Sequence, residues 1–77
     1  MRLMNQIVHI RKRVFDISQN EFAEIAGTTQ SSVSRWERGE LEPSRAEMNC
    51  IRQEAIKRGK DWNDLWFFEA PAQETAA

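Results

Sequence analysis

Apolar residues recur at helical intervals along this chain, and nowhere do they alternate with polar ones as a half-buried strand requires. Leu3, Ile7, Ile10 and Val14 stand at i, i+4, i+7 and i+11, the stripe of a first helix. Arg11, Lys12 and Arg13 lie near its C-terminal end, where the helix dipole favours cations. After a short break, Ser18-Gln19-Asn20-Glu21 has the form of a capping box. The helix it opens turns Phe22, Ile25 and Ala26 inward and stops at Gly27, where a left-handed cap suits a residue without a Cβ. A third helix starts from Thr28 or Thr29, both good N-caps, and stops at Gly39.

GELEPS (39–44) is a loop, because Pro43 drives Glu42 out of helical geometry. Ser44 to Glu47 forms a second capping box, and Met48, Ile51 and Ala55 then fall at core spacing, with Cys50 read as a packed, inert neighbour. Gly59 ends this helix. Asp61 is expected to cap a last short helix, WNDLWFF, and Pro71 prevents its continuation. The reading is one all-α domain of five short helices over residues 1–69. Its parts are a core over 18–39, a fourth helix over 44–58, a C-terminal helix over 61–68 and a loose tail over 70–77.

The third helix is the odd one. TTQSSVSRWERGE contains one apolar pair, Val33 and Trp36, three residues apart on one face. Gln30, Ser31, Ser34, Arg35 and Arg38 lie elsewhere, so the helix has a thin apolar seam and a broad polar front. The link from the second helix is a few residues long and contains glycine, which makes a steeply crossing helix-turn-helix. Close crossing asks for small residues where the backbones meet, and Ala23 and Gly27 are read in that role. A helix that enters the major groove of DNA must keep its front free of core duty. It must also carry groups that bond base edges: amides for adenine, guanidinium for guanine, hydroxyls for several bases. Gln30, Ser31, Ser34 and Arg35 are that inventory.

Charge changes the picture only when it is placed. The net charge of the 77 residues is −1, yet residues 1–60 hold all 11 Lys and Arg against 8 acids, while 61–77 hold four acids and no base. A mildly basic body with an acidic end permits a nucleic-acid partner. One cysteine makes no internal disulfide and points to a reducing, cytosolic setting. No run approaches the roughly 18–20 apolar residues of a membrane span, and MRLMNQIVHIRKR is too interrupted for a signal peptide. No paired carboxylates, nucleophile–base set or metal ligands stand at workable spacing, which argues against an enzyme and against a cofactor. His9 has no such partner and is read as structural or exposed.

SQNEFAEIAGTTQSSVSRWERGELEPS resembles the phage-repressor/Cro, or Xre-type, helix-turn-helix regulators of bacteria and their phages. The likeness rests on the S-Q-x-E-F-A opening, the glycine turn, the T-Q-S-S-V-S-R-W-E-R-G segment and the trailing proline, and covers roughly residues 7–58. It implies a compact, lambda-repressor-like DNA-binding domain in a prokaryotic, nucleoid-associated setting. It also implies base contacts from Gln30, Ser31 and Arg35, and phosphate contacts from Gln19 and Arg38. Thr29 and Arg45 join the phosphate candidates. A helix 1 arginine paired with a helix 3 glutamate becomes Arg11 with Glu37, with Lys12 as the alternative. One departure shows: RKRVFDIS is a residue longer than the usual link between the first two helices.

Trp62, Leu65, Trp66, Phe67 and Phe68 cannot all face inward from one short helix. Some close a small core. The remainder are read as an interface for a homodimer, with Trp62, Leu65, Trp66 and Phe67 as its candidates. The expected function is a transcriptional regulator, most simply a repressor on a palindromic operator. Two alternatives stand beside it: an antitoxin that blocks a toxin and autoregulates its operon, and a protein-interaction module on the same fold.

Overall fold

A computed structural model describes residues 5–68. Asn5 starts the first helix, its Oδ1 accepting from the backbone N–H groups of Ile7 (2.7 Å) and Val8 (3.4 Å). Helix α1 (Gln6–His9) makes little more than one α-turn before the backbone widens into a π-helical segment, Ile10–Phe15. An i→i+5 ladder holds more residues per turn than an α-helix. The widening also reassigns the core. Ile10 and Phe15, five apart, are both buried, whereas Val14 is only partly covered. A regular α-helix would send positions five apart to different faces. Asp16 closes the segment in the left-handed region (φ 58°), its N–H and that of Ile17 both donating to the Arg11 carbonyl. Leu3 lies outside the described residues.

Ser18 and Glu21 form their box: Ser18 Oγ accepts from Glu21 N–H at 3.2 Å, and a Glu21 carboxylate oxygen accepts from Ser18 N–H at 3.4 Å. Helix α2 (Gln19–Ala26) buries Phe22, Ala23 and Ala26 and half-covers Ile25. It ends in a Schellman turn, with Thr28 N–H on the Ala23 carbonyl and Gly27 N–H on that of Glu24. Gly27 is required there for its φ of +77°, not for close packing, because a Cβ at that position would meet nothing within 4 Å. Ala23, 3% exposed, is the small residue that lets the backbones approach.

Thr29, rather than Thr28, caps α3 (Gln30–Glu37), and Ser44 with Glu47 caps α4 (Arg45–Lys57) through a second complete box. Helix α2 packs against both, and α1 against α3. The core gathers Ile7, Ile10, Phe15, Phe22, Ala23, Ala26, Val33, Trp36, Ile51 and Ala55. Phe22 lies edge-on to Trp36 at 6.4 Å and tilts against Phe15 at 5.9 Å. Met48 is half-buried, and Cys50 is exposed rather than packed, because it projects from α4 beside the buried stripe instead of on it.

The five-helix reading does not survive. Four α-helices are present among the described residues, and no strand. The expected helix over 61–68 is reduced to a single 3₁₀ turn, Asp64–Phe67, because Asn63 and not Asp61 supplies the cap, its Oδ1 accepting from Leu65 N–H. Four residues are too few to nucleate an α-helix, and the tighter turn serves instead. The tail over 70–77 falls outside the described residues.

Candidate nucleic-acid interface

Val33 (0% exposed) and Trp36 (2%) hold the back of α3 against the body. They are the buried residues of that helix; Ser32, Ser34 and Glu37 are half-buried, and the face that carries Gln30, Ser31 and Arg35 is left exposed. Gln30, Ser31 and Arg35 are exposed and Ser34 is half-buried. The charge of Arg35 lies near enough to Glu40 to help stabilise its carboxylate, a weaker influence than that of Arg38. Thr29 is exposed; its hydroxyl accepts from Ser32 N–H at 3.2 Å and donates to Ser32 Oγ at 3.1 Å, which commits it to the cap. Arg45 is exposed at the first position of α4.

Behind the front runs a chain of hydrogen bonds. Arg11 Nε and Nη2 donate to the two oxygens of Glu37 at 2.5 and 3.1 Å, a bidentate fork. Arg11 Nη1 donates to the Ile17 carbonyl at 3.0 Å. Glu37 also accepts from Gln19 Nε2 at 3.0 Å, and Gln19 Oε1 accepts from Gln30 Nε2 at 2.5 Å. The first helix thus reaches, through two side chains, the amide that begins α3. Lys12 is exposed and takes no part. The link from Gln19 to both Glu37 and Gln30 was not read from the sequence. Its only signal is positional: Gln19 and Gln30 each open a helix, and a short turn brings those two helix starts together.

Arg38 is placed differently from expectation. It caps the C-terminal end of α3 and turns its guanidinium on its own neighbours: Nε and Nη2 donate to the Glu40 carboxylate at 3.0 and 3.3 Å, and Nη1 donates to Ser34 Oγ at 2.6 Å. The hydrogen bond and charge of Arg38 hold the Glu40 carboxyl below the usual carboxylate range, and Glu40 raises Arg38 in turn. A surface ion pair of Arg38 with Glu37, Glu40 or Glu42 is the sequence's alternative to a phosphate contact, and Glu40 is the partner the fold supplies. The glycine between the two residues folds position 40 back beside position 38.

The aromatic end divides unevenly. Trp62, Trp66 and Phe67 are half-buried against the core, with Trp66 edge-on to the buried His9 at 5.1 Å. Leu65 (58% exposed) and Phe68 (72%) face outward. Three of the four residues expected at a dimer contact, Trp62, Trp66 and Phe67, are thus partly covered by the monomer's own core.

Among the described residues no helix is long and apolar enough to cross a membrane, and no group of three or more His, Cys, Asp or Glu could hold a metal ion. Comparison with curated proteins and with solved structures found no match. The model of the helix-turn-helix family matches residues 10–48, a span of half the chain that begins in the π-helical segment and ends in the first turn of α4. Members of that family are DNA-binding regulators of transcription and not usually enzymes. With a capped α2, a glycine turn and an α3 that leaves Gln30, Ser31 and Arg35 exposed, the chain belongs to the helix-turn-helix family.

Proposed function

We propose that this protein is a sequence-specific regulator of the Xre type, similar to phage repressors, that lays α3 in the major groove of double-stranded DNA. It occludes a promoter as a repressor and binds a palindromic operator as a homodimer. The observation that carries this reading is the division of α3 into a back wholly absorbed by Val33 and Trp36 and an exposed front of Gln30, Ser31 and Arg35.

Each side chain has a role that its chemistry supports. Gln30 spends one amide hydrogen on Gln19, leaving its carbonyl oxygen and second hydrogen for the paired donor and acceptor on adenine. Arg35 suits guanine, whose two acceptors match the guanidinium fork. Ser31 and Ser34 are short enough to let the helix approach closely. Gln19, Arg38 and Arg45 hold backbone phosphates, which fix register without reading sequence, while Thr29 keeps its hydroxyl on the cap of α3. Leu65 and the exposed Ile56 flank a shallow groove with Trp62, rimmed by Lys60 and the Arg52–Asp64 ion pair. An apolar centre with charges of both signs at its edge suits a twofold contact between copies.

Selection of bound duplexes from a random pool tests the reading. The expected product is a two-fold symmetric site with half-sites about one helical turn apart. Arg35→Ala is expected to lose about 1–3 kcal/mol of discrimination at one base pair per half-site. A pool that stays random after selection, or an Arg35→Ala variant whose preference for selected over random duplex is unchanged, would overturn it.

A further inference from the structure

In the absence of DNA, Arg38 already holds an anion. The turn that ends α3 puts Gly39 at φ +77° and draws the Glu40 N–H onto the Arg35 carbonyl at 2.9 Å, so the chain doubles back over the helix end. Glu40 then presents both carboxylate oxygens to one edge of the Arg38 guanidinium, the same two-point geometry that a phosphate offers. Both side chains are 55% exposed, so the pair sits where a DNA backbone could reach it.

We propose that Glu40 is a built-in competitor for backbone phosphate: it occupies Arg38 in the free protein and must be displaced before Arg38 can contact DNA. The proposal rests on the phosphate role assigned to Arg38 above and adds the device that tempers it. Exchange of one anion for another at the same guanidinium yields less free energy than filling an empty one. The brake acts on every duplex alike, because phosphates carry no sequence. It also reaches the reading front. Arg38 Nη1 donates to Ser34 Oγ at 2.6 Å, so a guanidinium drawn toward phosphate releases the oxygen of a base-reading candidate. Phosphate capture and the freeing of Ser34 become one movement.

Fluorescence anisotropy on a labelled random-sequence duplex, titrated across a range of salt, separates the possibilities. The proteins are the full chain, Glu40→Gln, Arg38→Ala and the double variant, each checked by circular dichroism. Glu40→Gln is expected to bind about two- to fivefold tighter, the range of exposed ion pairs. Its salt dependence should be steeper by up to about one counterion. Adding Glu40→Gln to Arg38→Ala should bring no further gain. Equal tightening with and without Arg38 would make Glu40 a diffuse charge and overturn the competitor, as would no tightening at all. Arg38→Ala that binds like the wild type would instead remove the phosphate role itself, a result read from that variant alone.

Discussion

Removing the cation of the Arg11–Glu37 pair is the sharpest test of how α3 is held. In Arg11→Met the apolar stem remains, but Glu37 loses two charge-assisted hydrogen bonds and the Ile17 carbonyl loses one. Glu37 keeps only Gln19 as a donor, in a site where the two side chains are 12% and 11% exposed. Breaking a fully buried pair costs about 3–5 kcal/mol, mostly because the other charge is stranded. The remaining exposure admits some water, so a loss of about 2–4 kcal/mol is expected. Small domains have about 5–15 kcal/mol in all, and one this size loses about 4–8 °C of Tm per kcal/mol. The melting point should therefore fall by roughly 8–32 °C. Urea denaturation followed by far-UV circular dichroism gives the free energies for Arg11→Met, Glu37→Leu and the double variant. Because an apolar pair of similar shape can replace a buried ion pair at little cost, the double variant should cost clearly less than the two singles together. A single-variant loss below about 1 kcal/mol, or additivity within about 0.5 kcal/mol, would refute this account.

Three further outcomes follow from other parts of the molecule. Gly27→Ala should destabilise by about 1–2 kcal/mol with no clash to relieve, since the cost lies in placing a Cβ at positive φ; Gly27→Asn should cost less, and a neutral Gly27→Ala in a thermal melt would contradict the assignment. The Glu40 carboxyl should titrate below the ordinary carboxylate range by NMR and return to it in Arg38→Ala. A carboxyl lowered by folding adds stability above its unfolded value and loses it as pH falls through the folded one. The pair is more than half exposed, so chemical shift rather than stability is the readout. In sedimentation, the wild type should self-associate with rising concentration and Leu65→Asp should not; a wild type that stays monomeric at its highest soluble concentration, with and without its selected duplex, would remove the dimer.

Much of the fold is legible in the sequence, and the legible parts share a property: they are decided within one turn of chain. The boxes at Ser18 and Ser44 start helices because the groups that cap each other are three residues apart. Gly27 ends α2 and Gly39 ends α3 because a backbone turn to positive φ disfavours any Cβ. The polar front of α3 is equally local, since a helix with one apolar pair can bury only one face.

What tertiary structure alone decides is everything that depends on which surfaces meet. The α-helical stripe points to Val14, but the π-helical turn delivers Phe15 to the core, where it meets Phe22 across 5.9 Å. Glu37 lies 26 residues from Arg11 and 18 from Gln19, and no local pattern says that one carboxylate serves both. Trp62, Trp66 and Phe67 look alike as interface or core until the seam beside His9 and α1 is there to receive them. Arg38 reads as a hand held out to phosphate, and the folded chain shows it closed on Glu40, since the turn at Gly39 sets those two charges face to face before any DNA arrives.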